Sequence, residues 1–166
     1  MQLDFYNALK TQIETLTSLK YVALWNNQFD RESENVAFGY PCVFIEFTNV
    51  AYTDFLNGQQ KYNMNVNLHL GFESLKTEDT AILQLKQDLQ AVVFQFQQGY
   101  ETKMLRRSET PNYDHPNIQE YIITYSVSGK DYANNLPTTE VTATLDLTTE
   151  LVITNDTIKT ASPTIP

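Results

Sequence analysis

Residues 62–72 alternate between apolar and polar or small side chains over their whole length. An alternation with period two is typical of a β-strand that buries one face. Its second face carries three amides, an imidazole and a glycine, namely Asn63, Asn65, Asn67, His69 and Gly71. Asparagine is depleted in strands because its side chain competes for the nearby backbone. Three in one row therefore need a reason beyond exposure to solvent.

Two segments have the spacing of amphipathic helices. Apolar residues three and four positions apart predict a first helix over about residues 2–18. A second stripe predicts a helix over about residues 78–97, with the Thr77 hydroxyl as its N-cap and Gly99 beyond its end.

Strands are predicted between and after these helices. Lys20–Trp25 is β-branched and aromatic, and a polar loop over 26–40 follows it. Pro41 opens an apolar run that predicts a strand buried on both faces. Asn57-Gly58 predicts a hairpin turn that leads into the alternating strand, Gln60–Phe72.

Two further strands close the predicted domain. They lie within residues 102–107 and 119–129, and a polar segment with two prolines, 108–118, predicts the loop between them. The order of elements indicates an α+β fold, with an antiparallel or mixed β-sheet and both amphipathic helices on one face.

The composition changes after Tyr132, where the chain becomes rich in threonine. Apolar residues alternate there with Thr, Asp or Glu, as in a strand with one apolar face. The apolar positions include Val141, Ala143, Leu145, Leu147, Leu151 and Ile153. We therefore predict a core domain over residues 1–132 and a β-rich C-terminal arm over 133–166. The arm either folds back as an edge strand or adds to a neighbouring subunit's sheet, and we favour the second.

The charge of the chain excludes some partners. The formal net charge is -9 and the sequence pI is about 4.6. Tight binding to nucleic acid needs clustered Lys and Arg, so none is expected, although an acidic surface could let DNA slide past. The first residues carry Asp4 and no basic-then-apolar run, and no stretch approaches the roughly 18 apolar residues of a membrane helix. We expect a soluble protein made in the cytoplasm.

No residue set indicates catalysis, a metal or a cofactor. Cys42 is the only cysteine, which excludes an intrachain disulfide, and its apolar surroundings indicate a core residue instead of a nucleophile. His69 is predicted to be partly exposed or at an interface. His115 stands next to Asp114 but apart from other ligand types at metal spacing, so no metal site is predicted. We expect a protein that is not an enzyme.

One basic cluster and many aromatic residues are candidates for contact surfaces. Lys103, Arg106 and Arg107 are interpreted as a solvated strand end or as a docking patch for an acidic surface. Several of the ten Tyr and nine Phe lie in or beside polar segments, where aromatic residues fit interfaces, although core packing would claim most of them. They are Phe29, Phe38, Tyr40, Tyr52, Phe55, Tyr113 and Tyr132.

In its order of elements over residues 1–132 the chain resembles the phage tail-terminator, or tail-completion, proteins and their neck-region relatives. The segments that carry this resemblance are "LDFYNALKTQIETL", "YVALW", "GYPCVFIEF", "KYNMNVNLHLGF", the long second helix, "TKMLRR" and "EYIITYSV". It is a resemblance of pattern, and the arm after Tyr132 is not part of it.

The resemblance implies a structural virion protein, assembled in the host cytoplasm, that forms a ring, typically a hexamer, at the tail end or head-to-tail junction. Its partners would be copies of itself, the tail tube and the neck or connector proteins, with DNA passing through the lumen. The sheet face without helices would meet a neighbouring subunit or the lumen. The interface residues then expected are Asn63, Asn65, Asn67, His69, Lys103, Arg106, Arg107, Val141, Leu145 and Leu147. Other readings are another neck or tube component, the cap of a phage-derived contractile injection system, or a small ligand-binding or hydrolytic domain with a cleft beside helix 2.

Overall fold

A computed structural model describes residues 2–29, 38–54, 59–73, 76–97 and 102–131. Two helices and five strands occur in these residues. In chain order they are α1 (Gln2–Ile13), β1 (Tyr21–Leu24), β2 (Cys42–Asp54), β3 (Gln60–Glu73), α2 (Asp79–Gln95), β4 (Leu105–Asn112) and β5 (Ile118–Asp131). The turn at Asn57-Gly58 and the C-terminal arm, with Val141, Leu145 and Leu147, lie outside the described residues.

The five strands form one mixed sheet in the order β1-β2-β3-β5-β4. β1 is parallel to β2, and every other pair of neighbours is antiparallel. β3 and β5 pair over their full length, from Gln60 opposite Asp131 to Glu73 opposite Ile118. β2 carries a bulge between Thr48 and Ala51, where Asn49 adopts a positive φ of 52°, a conformation that asparagine tolerates.

Both helices pack on one face of this sheet, as the sequence predicts. The apolar phase of β3 is buried from Tyr62 to Phe72 in one core with the inner residues of α1 and α2, among them Phe5, Leu9, Leu85 and Leu89. Tyr125 of β5 joins this core and donates a 2.7 Å hydrogen bond from its hydroxyl to Gln90 Oε1 of α2. The α+β class with a mixed sheet is confirmed.

Three boundaries differ from the prediction. The first helix ends at Ile13, five residues early. β4 continues through Ser108 to Asn112, where a loop is predicted, because an edge strand tolerates Pro111 without losing an essential ladder bond. Thr77 does not cap α2: its Oγ1 donates to the Glu73 carbonyl at 3.2 Å, and Glu78 occupies the N-cap position.

Neither helix of the described residues is both long and apolar enough to cross a membrane.

Candidate interface on the sheet face without helices

The second face of the sheet carries the asparagine row, and its two ends differ. Near His69 and Gly71 it is covered by a small second core. The members of this core are Phe29, Cys42, Phe44 and Ile118, with Ala23, Trp25, Phe38 and Tyr40 packed around them. Near Asn63 and Asn65 the face is an open cleft lined by both polar and apolar residues. We call the first part the covered end and the second part the open end.

The aromatic residues of the predicted loop 26–40 pack in the covered end. Phe29 contacts Trp25, Phe38 and Phe44 through ring centroids 5.2–6.0 Å apart. These rings form a core, so Phe29 and Phe38 follow the core-packing interpretation and not the contact-surface one. Tyr52 and Tyr113 do remain exposed, while Phe55 and Tyr132 lie outside the described residues.

The Phe29 ring packs on the sheet in the space left by the missing side chain of Gly71. A Cβ added at Gly71 would lie 2.5 Å from Phe29 Cζ and 3.0 Å from Cys42 Sγ. Only a residue without a side chain allows the phenyl ring to approach the strand so closely. The last polar position of the alternating strand is therefore set by packing.

His69 is buried between two carboxylates. Its Nδ1 lies 2.6 Å from Glu120 Oε1, and its Nε2 lies 3.2 Å from Glu46 Oε2. The Trp25 ring stacks on the imidazole, with centroids 4.0 Å apart and an interplanar angle of 5°. The prediction of a partly exposed imidazole is wrong, because the side chain is only 6% exposed. A ring protonated on both nitrogens can donate to both acids, and its charge then lies against the face of the indole.

Glu120 is the centre of this cluster. The residue is 2% exposed, and its second oxygen accepts a 2.8 Å hydrogen bond from Asn112 Nδ2 and lies 3.3 Å from His115 Nε2. The two histidines, isolated in the sequence, thus meet at one carboxylate. No group of three or more His, Cys, Asp or Glu side chains in the described ranges is arranged to hold a metal ion. The arrangement binds the strands to one another.

The asparagine row divides between the two ends. Asn67 is held inside the sheet, since its Nδ2 donates to Glu46 Oε2 at 2.7 Å and its Oδ1 accepts from Thr124 Oγ1 at 2.9 Å. Asn63 and Asn65 line the open cleft, of about 230 Å³, with Asn49, Arg107, Ser126 and Ser128. Of the four predicted interface residues of this strand, two lie in the cleft and two belong to the internal network.

The basic cluster is also divided. Lys103 Nζ lies 4.7 Å from the Phe94 ring centroid, and Arg106 Nη1 lies 3.5 Å from Glu109 Oε2, on the side of α2. Arg107 lies on the opposite side, where its Nε donates to Ser126 Oγ at 2.6 Å. Adjacent residues of a strand point to opposite sides of the sheet, which separates the two arginines, and the register with β5 shifts between Arg106 and Ser108. Lys103, Arg106 and Arg107 do not form one docking patch.

Cys42 is a core residue, as predicted. It is fully buried beneath Gly71, and burial raises the pKa of its thiol to about 12. The thiolate is the reactive form, so Cys42 is inert in the folded protein.

No protein-family model matches the chain, and no curated protein sequence is significantly similar to it.

Proposed function

We propose that this chain is a structural subunit of a tailed-phage particle. Six copies form a ring at the tail end or the head-to-tail junction, and the ring joins the tail tube to the neck. The order helix, strand, hairpin, helix and two strands, which carries the resemblance to tail terminators, is the order of the described elements.

The observation that carries the proposal is the open end of the sheet face without helices. Helices cover one face of the sheet and the aromatic core covers part of the other. Among the described residues nothing covers Asn63, Asn65 and their neighbours in the cleft. Amide and hydroxyl groups suit a wet contact between subunits because they hydrogen-bond across water without the desolvation cost of charges.

The sheet edges support the same proposal. β1 pairs only with Cys42–Ile45 of β2, so within the described ranges the rest of β2, through Asp54, has no partner strand on that side. β4 forms the opposite edge, and its residues are exposed from Leu105 to Pro111. A molecule with two different open edges is suited to head-to-tail contacts, which close into a ring when the rotation allows.

The net charge suits the path of DNA. A ring of chains with formal charge -9 repels the phosphate backbone, so DNA would pass through without adhering.

The nearest alternatives, another neck or tube component or the cap of a phage-derived contractile injection system, would use the same contacts.

A ligand-binding or hydrolytic domain is the alternative of a different class. A groove of about 570 Å³ does lie beside α2, lined by Leu83, Phe94 and charged residues of both α2 and β4. Its charged side chains pair with one another, Lys86 with Glu109 and Arg106 with Glu109. They therefore do not converge on a ligand position, and we favour the ring.

The mass of the native protein tests the proposal. We expect light scattering at increasing concentration to reach a plateau at six times the chain mass of 19.1 kDa, and negative-stain images to show closed rings. Added tail tubes should promote the same species, because docking favours the closed ring. A chain that remains monomeric at high concentration, with and without tubes, would contradict the proposal.

A further inference from the structure

Helix α2 carries apolar residues outside the face that packs in the core. Leu83, Ala91 and Phe94 lie on one flank of the helix with Gln87, and all four line the groove of about 570 Å³ beside β4. All four are exposed, Leu83 to 57% and Phe94 to 49%. The face of α2 that is buried in the core is a different one and consists of Ile82, Leu85, Leu89 and Val93. The helix therefore presents more apolar surface than the described core covers.

Strand β4 is open at the same place. Among the described residues it pairs with β5 alone, so no strand lies beside its outer edge there. Its residues are exposed from Leu105 to Pro111, which leaves both of its faces open. Arg106 and Glu109 of this strand line the groove beside α2. A free edge and an apolar groove therefore adjoin. This is the geometry of β-strand addition, in which the edge binds a main chain and the groove takes alternate side chains.

Residues 141–153 have the chemistry that this place requires. Their odd-numbered positions include Val141, Leu145 and Leu147, whereas the even-numbered positions from 142 to 150 hold only Thr, Asp and Glu. In a strand added to β4, alternate side chains lie on the side of α2 and on the opposite side of the sheet. Such a strand would have one apolar side for the groove and one polar side for solvent.

We propose that residues 141–153 of a second copy of this chain bind as a further strand along the outer edge of β4, with their apolar side chains in the groove beside α2. The inference rests on the proposed ring and names a contact that links its neighbouring subunits. An exchanged arm makes the donated segment and the receiving groove two different surfaces, as head-to-tail contacts require. The eight residues of β4 offer more than the usual strand length of about five or six.

The polar residues of β4 restrict what its edge accepts. Arg106, Arg107, Glu109 and Pro111 are of the types that protect natural edges from indiscriminate pairing, and Pro111 lacks an N–H for a ladder bond. In the groove itself, Lys86 and Arg106 both contact Glu109. An apolar strand face that covers these side chains therefore does not bury an unpaired charge, which would be costly.

Disulfide cross-linking between two full-length chains tests the inference. One chain carries Ala91→Cys in the groove, and a second, differently tagged chain carries a cysteine placed in turn at each position from 141 to 148. Native Cys42 is fully buried and does not compete. We expect cross-linked dimers on non-reducing gels from odd-numbered positions only, because side chains alternate along a strand. The pattern should disappear with Ala81→Cys, which is exposed on α2 but does not line the groove.

Matched charge substitutions measure the strength of the contact. Leu145→Asp puts a carboxylate on the apolar side of the added strand, and Thr144→Asp puts one on its polar side. We expect Leu145→Asp to weaken self-association at least about tenfold, measured by sedimentation, because it would bury an unpaired charge, and Thr144→Asp to change it less than about twofold. Ala91→Asp and Ala81→Asp repeat the comparison on α2, with the loss expected at position 91 alone. Circular dichroism checks that each variant is folded.

Each other outcome has a definite meaning. Cross-links that form only within a chain carrying both cysteines would place the arm on its own β4 and overturn the inference, while the ring proposal stands. Rings without the odd-even pattern would also overturn the inference alone. Odd-position cross-links in chains that form no closed ring would support the inference and contradict the ring. Protection of the thiol at position 91 from maleimide by added tail tubes, without cross-links, would assign the groove to the tube. A chain that never associates would overturn both proposals.

Discussion

Replacing Glu120 with alanine is expected to lower the free energy of unfolding by about 3–5 kcal/mol, the usual cost of removing one partner from a buried charged cluster. The carboxylate is 2% exposed and lies within hydrogen-bond distance of His69, His115 and Asn112. Without it these groups lose a shared partner that water cannot easily replace.

Glu109 is the matched control. It is also a carboxylate that contacts two cationic side chains, Lys86 and Arg106, but it lies on the other side of the sheet with 28% of its side chain exposed. Glu109→Ala should therefore cost about 1 kcal/mol or less. Urea unfolding of both variants gives the comparison, and an equal loss in the two would contradict the account of the cluster.

Trp25 provides a second measurement of the same variant. It is the only tryptophan, and it stacks on His69. Glu120→Ala removes the partner of His69 Nδ1, which frees the imidazole on that side. The fluorescence emission of Trp25 in the folded protein should therefore change in intensity and shift to longer wavelength. Glu109→Ala should leave the emission unchanged.

Gly71→Ala is expected to destabilise the protein by about 1–3 kcal/mol, a typical cost of overpacking. Strand propensity predicts the opposite sign, because glycine in a strand is less favourable than alanine by about 0.5–1 kcal/mol. The steric clash outweighs strand propensity at this position, since the added Cβ would lie 2.5 Å from Phe29 Cζ.

A double-mutant cycle identifies Phe29 as the cause. Alanine at position 71 should cost much less when Phe29 is already alanine, giving a coupling of about 1 kcal/mol or more, within the range for contacting residues. Gly71→Ala variants that unfold at the same urea concentration as the wild type, or a cycle without coupling, would show that the ring does not need this space.

Periodicity was sufficient to predict both helices, the paired β2 and β3 strands and the class of the fold. Those elements have long apolar stripes, and burial of a stripe dominates local preference. Residue type favours Thr77 as the N-cap of α2, but Thr77 donates to the Glu73 carbonyl, and Glu78 occupies the N-cap position without a side-chain hydrogen bond.

The covered end could not be predicted because its contacts join distant positions. His69 is 51 residues from Glu120 in the sequence, and only the register of β3 with β5 brings them together. A signal was present in Gly71, because a glycine inside a strand often marks a bulge or a close approach by another group. The groups that pack there include Phe29 and Phe38 of the predicted loop 26–40.

Alternation along a strand places Arg106 and Arg107 on opposite sides of the sheet, but it does not indicate which one faces the cleft. The hydrogen bond from Arg107 to Ser126 settles that question.

The central claim is that copies of this chain cover the open end of the sheet face, and the labelling rate of a thiol placed there tests it most directly. Asn63→Cys puts a thiol in the cleft and Ala81→Cys puts one on the exposed side of α2, while native Cys42 is buried and unreactive. We predict that maleimide labels both introduced thiols rapidly in dilute monomer, and that assembly protects only the one at position 63. Equal labelling of position 63 in monomer and assembly would contradict the account.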